Sequence, residues 1–323
     1  MPERQPRWDV SSIGESMLRL SVPVGQRLSD AQSLDVEIGG AESNVLIALS
    51  RLGRRCAWLG RLPDHALGDA VLRAIRADGV DVGAVRRVAD ERLGTYFLEY
   101  ATQPRAIQVI YDRAGSAAAA MKPDDIDWDY LLDTRVLHLT GITAALSDSC
   151  YQTVREAIRR AREREVTVSF DVNYRAKLWS ADEAGRRLRP LIADADLLLC
   201  KSADAAALFG CIGQPRAQMQ ALAALSGAQA VYCTFGADGA ALLQGETFVQ
   251  QPALPVTIVD RIGSGDAFAA GVLDGMLDGD ARGGLQRGVA LAAIALSQHG
   301  DRVLTSRPEL DAALAQERHD VAR

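Results

Sequence analysis

The strongest constraint on the fold is an alternation. Between residues 136 and 235, short aliphatic and β-branched runs (136–140, 166–172, 196–200, 229–235) alternate with segments whose apolar residues recur at helical spacing (from 148, then 181–193, 203–209 and 216–224). Strands that alternate with helices pair in parallel, because each helix carries the chain back across one face of the sheet. Val154, Ala157, Ile158 and Ala161 form the inward face of the first helix, with Ser147 or Asp148 placed to cap it. A parallel sheet covered by helices binds ligands beyond the carboxyl ends of its strands.

The N-terminal third reads differently. Residues 8–15 form a strand, but 18–22 and 34–38 are short extended pieces split by Pro23, Gly25 and Asp30, the pattern of an excursion from the main sheet. Gly39-Gly40 precedes a helix with Val45, Ala48, Leu49 and Leu52 on one face, stopped by Gly53. A strand at 56–62, a helix at 67–78 stopped by Gly79, and two strands at 94–100 and 107–111 follow. A further helix covers 285–298. The sequence thus predicts one α/β/α core (8–15, 39–92 and 113–318), a small β lid from two separated segments (16–38 and 93–112), and tails at 1–7 and 319–323.

Several function classes fall away on composition. A net charge of -6 argues against general binding of nucleic acid or membrane surfaces. No apolar run spans a bilayer, and residues 1–7 lack the apolar core of a signal peptide. Five cysteines without a Cys-x-x-Cys pair, and four scattered histidines, argue against zinc. Reduced, buried cysteines and a cytoplasmic location are the expectation.

The chemistry points to Gly263-Ser264-Gly265-Asp266, which opens a helix carrying Phe268, Val272, Leu273, Met276 and Leu277. The first N–H groups of a helix lack internal partners and attract phosphate or developing negative charge. There is no Gly-Lys-Ser/Thr, so this is not a Walker loop. Asp266 beside such an end is either a first-turn charge partner or a base that accepts a hydroxyl proton during phosphoryl transfer. Four residues alone favour the first alternative.

The whole run 259–271, however, resembles the C-terminal signature of the ribokinase-like (PfkB-type) carbohydrate kinases. Gly39-Gly40 with Asn44, then 48–53, resembles their N-terminal signature, and 60–68 continues it with Leu62-Pro63 where the family has glycine. The resemblance covers roughly residues 8–304. It implies a three-layer α/β/α ribokinase-like fold with a mostly parallel central sheet and a small β lid. It implies Asp266 as general base, an anion hole from Gly263, Ser264 and Gly265, and a sugar pocket lined by Gly39, Gly40 and Asn44. ATP and Mg²⁺ follow, with a monovalent cation left open. Residues 234–240 resemble the family's Gly-x-x-Gly loop near the ATP phosphates, implicating Gly236, Asp238 and Gly239. Lys201 and Asp204 stand where the family carries Asn-x-x-Glu, tied to magnesium and phosphate. No residue is assigned as a direct metal ligand. The resemblance also implies a homodimer through the lid face.

Arginines select among the sugars. Tyr96, Tyr111-Asp112-Arg113 and 171–179, which contains Arg175 after a central strand, resemble the 2-keto-3-deoxygluconate kinases within this family. Arginine pairs with carboxylate bidentately, and a neutral sugar needs no such partner. The resemblance implies Arg113 and Arg175 near the carboxylate or keto end of a sugar acid, with Tyr96 and Tyr111 bonding its oxygens, and Arg261 assisting phosphate. The expected activity is ATP-dependent phosphorylation of the terminal hydroxyl of 2-keto-3-deoxygluconate. A neutral-sugar kinase or a non-catalytic sugar sensor are the alternatives. A nicotinamide dehydrogenase is excluded by the absence of Gly-x-Gly-x-x-Gly after the first strand.

Overall fold

The computed structural model describes residues 5–101 and 104–315; the expected tail 319–323 and residues 1–4 of the other tail lie outside them. The chain runs β1 (Trp8–Ile13), β2 (Met17–Val22), β3 (Asp35–Gly39), α1 (Ala41–Arg51), β4 (Cys56–Leu59), β5 (Arg61–Pro63), α2 (Ala66–Ala77) and β6 (Arg86–Val88). It continues through β7 (Thr95–Glu99), β8 (Gln108–Asp112), α3 (Trp128–Leu132), β9 (Thr134–Thr140), α4 (Gly141–Ala145), α5 (Asp148–Glu163), β10 (Thr167–Asp171) and α6 (Ala181–Ala193). The last part holds β11 (Leu197–Lys201), α7 (Ser202–Phe209), α8 (Pro215–Leu225), β12 (Ala230–Thr234), β13 (Ala240–Gln244), β14 (Thr247–Gln251), α9 (Ser264–Leu277), α10 (Ala281–Leu296) and α11 (Arg307–Leu314).

The main sheet has eight strands in the order β14-β13-β12-β11-β10-β9-β1-β4. From β12 to β4 every pairing is parallel. Two apolar cores flank it. One packs α5, α6, α7 and α8 through residues such as Val154, Leu188, Leu208 and Met219. The other packs α1, α2, α9 and α10 through Val45, Val71, Phe268 and Leu291. This is the three-layer α/β/α arrangement the alternation demands. Ser147 caps α5 by accepting from Cys150 N at 3.1 Å. All five cysteines are buried and unpaired. Among the described residues, no helix is long and apolar enough to cross a membrane.

A second sheet, β3-β2-β7-β8, joins the two N-terminal excursions. β2 pairs antiparallel with β3 and parallel with β7, which pairs antiparallel with β8. The structure corrects two readings. The run 56–62 is not one strand: it breaks at Gly60, so that β4 stays in the main sheet while β5 pairs with β6. A Cβ at Gly60 would lie 2.7 Å from the Gly14 carbonyl and from the Trp58 ring, so the chain turns there over a close contact that only glycine permits. The main sheet also ends in an antiparallel hairpin, β13-β14, that the alternation did not announce.

Candidate active site

The carboxyl ends of β10, β11 and β12 supply Asp171, Lys201 and Thr234 to one cavity of about 1220 Å³. The small sheet covers it with Tyr96, Val109 and Tyr111. The Gly39-Gly40 turn and the N-terminus of α9 complete the wall. Of the residues singled out from sequence, Gly39, Gly40, Asn44, Tyr96, Tyr111, Arg113, Arg175, Lys201, Gly236, Asp238, Gly239, Gly263, Ser264, Gly265 and Asp266 all line this cavity. Asp204 does not reach its wall; it lies behind, in the first turn of α7.

Gly263 caps α9 at φ 83°, a left-handed conformation, and a Cβ there would meet the Asp301 carbonyl at 2.0 Å. Glycine is required twice over. Ser264 spends its hydroxyl on the Arg261 carbonyl at 3.0 Å, so what it offers the cavity is its backbone N–H. Gly265 differs: a Cβ there would meet nothing within 4 Å. Its missing side chain leaves room in the cavity, directly over the free amides of the helix end.

Asp266 follows, with 9% of its surface exposed. Asn44 Nδ2, from α1, donates to its Oδ2 at 2.8 Å across 222 residues of sequence. Burial pushes the carboxyl up from 3.8 to about 7, against the pull of Asn44 and Arg175, with Asp171 and Asp301 adding repulsion. A carboxyl near neutrality, aimed into a cavity beside unpaired amides, suits a proton acceptor.

The three arginines of the cavity differ in how they are committed. Arg113 forms a buried ion pair with Glu15, which also accepts from Ser116 at 2.8 Å. Its charge is therefore already balanced. Arg175 donates to its neighbour's carbonyl, Tyr174 O, at 3.2 Å. Among the described residues, neither Arg175 nor Arg261 has a carboxylate within ion-pair distance, and both line the cavity. Tyr111 lies 5.6 Å from Tyr96, ring to ring, and carries Arg113 and the Lys177 ammonium each 5.6 Å from its centroid. Tyr96 is buried and donates to Asp301 Oδ2 at 2.5 Å.

On the opposite side, Phe235 N donates to Gly239 O at 2.8 Å and closes the 236–238 turn, with Gly236 at φ 64° and Gly239 at φ 93°. Burial raises Asp171 from 3.8 to about 6 and raises Asp204, while Lys201 and Arg175 pull both down. One oxygen of Asp204, Oδ2, is buried without a partner. Among the described residues, no group of three or more His, Cys, Asp or Glu side chains gathers as a metal site.

Sequence reasoning gave no role to Asp171, which opens the 171–179 run at the end of a central strand, or to Asp301, which follows Gly300 in a loop; both line the wall. It also missed Arg19 and Asp260, which meet only in the folded chain.

Comparison with known proteins gives the geometry its family. The model of the pfkB family carbohydrate kinases matches residues 8–307. A 2-dehydro-3-deoxygalactonokinase from Haloferax volcanii is 37% identical over 307 residues, covering 95% of this chain and 96% of the relative. A 2-dehydro-3-deoxygluconokinase from Thermoproteus tenax is 31% identical, covering 92% of this chain and 91% of the relative. The crystal structure of 2-dehydro-3-deoxygluconokinase from Thermotoga maritima superposes with a TM-score of 0.91 at 31% identity, covering 95% of this chain and 99% of that one. The chain therefore belongs to the PfkB family of carbohydrate kinases.

Proposed function

We propose that the protein is an ATP-dependent sugar-acid kinase that phosphorylates the terminal hydroxyl of 2-keto-3-deoxygluconate. One observation carries the mechanism: the Asp266 carboxyl, held by Asn44 and raised to about 7, sits at the amide end of α9. In this reading Asp266 accepts the hydroxyl proton as the oxygen attacks the γ-phosphorus. The bond from that phosphorus to the bridging oxygen of ADP breaks, and the proton leaves Asp266 for solvent after product release. The N–H groups of residues 264 and 265 meet the charge on the transferring oxygens. Arg261 adds its guanidinium there, and Lys201 and the 236–239 turn hold the remaining phosphates.

The residues present suit Mg²⁺ carried on ATP, which takes one or two carboxylates with phosphate oxygens and water. Asp171 on the wall would hold its water shell, with Asp204 behind it adding negative charge, and the ion would neutralise phosphate charge. Arg175, with no carboxylate within ion-pair distance among the described residues, receives the substrate's own carboxylate. Arg113 and Tyr111 form the cation–aromatic roof above it, and Tyr96 orients Asp301. The small sheet acts as a lid that excludes water from the transfer. Its outer face, with Val36 and Ile110 exposed, suits a homodimer.

The test is ADP release with Mg-ATP across 2-keto-3-deoxygluconate, its galactonate epimer, gluconate, fructose, ribose and no sugar. The expected result is turnover of the keto-deoxy acids, reduced by about 10² to 10⁴ in Asp266→Asn. Arg175→Leu should raise KM for the acid by more than that for ATP. Activity confined to neutral sugars discards the carboxylate site. The galactonate epimer is the second reading, favoured by the relative at 37% identity that carries that name.

A further inference from the structure

The lid and the anion-binding turn are joined by a buried ionic knot that the mechanism above leaves unused. Its centre is Arg19, on β2, with none of its side chain exposed. The guanidinium donates to Asp260 Oδ2 at 2.6 Å, to Asp301, and to the Tyr100 hydroxyl. Its Nε lies 3.4 Å from Glu37, the residue opposite on β3. Arg19 is not on the cavity wall.

What it holds is the frame of the reacting groups. Asp260 is fully buried, and its Oδ1 accepts from Ile262 N at 3.0 Å, which sets the turn leading into Gly263. Its Oδ2 also accepts from the Tyr100 hydroxyl at 2.8 Å. Asp301 packs its backbone carbonyl against Gly263 and receives Tyr96 on its carboxylate. A Cβ on Gly39 would strike both the Tyr96 hydroxyl (2.2 Å) and Asp301 Oδ2 (2.6 Å). One guanidinium, delivered by a lid strand, thus meets carboxylates from the two core loops, around 260 and 301, that bracket the amide end of α9. The link spans 241 residues to Asp260 and 282 to Asp301.

A buried ion cluster is seldom worth more to stability than an apolar replacement of equal volume. A fold that needed only packing at this position would do as well with leucine, which flanks Arg19 on both sides as Leu18 and Leu20. The planar fork does something leucine cannot: it fixes the separation of two carboxylates. Among the described residues, Arg19 is the one cation paired with either carboxylate, and it reaches both from β2.

We propose that Arg19 is a positioning residue for phosphoryl transfer, holding the 260–263 turn and Asp301 in register with the seated lid without touching either substrate. The inference rests on the kinase reading above. It predicts a loss in kcat rather than in ATP binding, because Arg19 sets where the amides stand and makes no contact with the nucleotide site.

The experiment measures kcat, both KM values and the melting temperature for Arg19→Met and Tyr100→Phe. Arg19→Met is expected to lower kcat by about 100-fold, the scale of a small misplacement of reacting groups, with KM for ATP little changed. Tyr100→Phe keeps the ion pairs to Asp260 and Asp301 and removes two hydrogen bonds, the one Tyr100 donates to Asp260 and the one it accepts from Arg19; it should lower kcat by up to about tenfold with little change in melting temperature. Folded Arg19→Met with wild-type kcat overturns the inference, as does a rise in KM for ATP that accounts for the whole loss. Should Arg19→Met fail to fold, Tyr100→Phe decides: undiminished kcat overturns the inference, and a drop at constant melting temperature supports it. Wild-type protein that phosphorylates no keto-deoxy acid refutes the functional reading instead. Activity lost in Asp266→Asn but retained in Arg19→Met refutes only the role of Arg19.

Discussion

Replacing Asp266 with Asn should make the ligand-free protein more stable, and increasingly so as pH rises. In the folded chain this carboxyl titrates near 7 rather than 3.8, because burial disfavours its anion. The sign follows from proton linkage. Between pH 3.8 and 7 the folded state keeps a proton that the unfolded state has released, so stability falls with rising pH and levels off above 7. With those two values, the penalty is under 2 kcal/mol at pH 5 and about 4 kcal/mol at pH 8. Asp266 borders an open cavity, so these figures are upper bounds. Asparagine carries no such penalty, and its carbonyl can still accept the hydrogen bond from Asn44 Nδ2. The raised carboxyl of Glu42 is common to both proteins and cancels, and the repulsion from Asp171 is already contained in the shift of Asp266. The variant should therefore gain up to about 3 kcal/mol on the wild type between pH 5 and pH 8. For a chain of 323 residues, that is about 4 °C in melting temperature. Calorimetric scans of both proteins at the two pH values, without ligand, are the assay. A melting-temperature gap that is equal at pH 5 and pH 8, or that closes as pH rises, would refute the reasoning: Asp266 would then be ionised at little cost. The same carboxyl should give kcat/KM an acid limb near pH 7 in the wild type, since only the anion accepts a proton.

Asn44→Leu removes the donor that favours the Asp266 anion, so the acid limb of kcat/KM should move to higher pH by about 1 unit, the worth of one hydrogen bond to a charged group; an unmoved limb argues that Asn44 does not tune the base. Arg113→Gln leaves Glu15 buried without its cation and should cost about 3 to 5 kcal/mol in urea denaturation. A folding-neutral Arg113→Gln whose KM for the sugar acid rises would instead make Arg113 a substrate contact that folding does not need.

The helices and strands were legible because their signals are local. Burial on one face of α5 follows from Val154, Ala157, Ile158 and Ala161 at helical spacing, and the cap at Ser147 sits three residues from its partner. The two glycine-rich turns were legible for a related reason. Gly263 needs a positive φ and a close approach, constraints that only glycine meets, so the residue type itself records them. Gly60 carries the same kind of record, yet the apolar run around it hid the break between β4 and β5. The β13-β14 hairpin was less visible because an antiparallel edge pair interrupts no helical rhythm.

Sequence alone thus determined the layered architecture, the strand ends where chemistry would collect, and Asp266 as the carboxylate to watch. Tertiary structure decided the state of each charge. Arg113 is already spent on Glu15, a neighbour 98 residues away, whereas among the described residues Arg175 has no carboxylate within ion-pair distance. Raising Asp266 toward neutrality takes burial between α1 and α9, and Arg19 finds its carboxylates only when a strand of the small sheet meets two distant loops. Secondary structure is set by interactions over a few residues and so leaves a periodic trace in the sequence. Desolvation and ion pairing are set by distances in space, and nothing in the order of residues carries those.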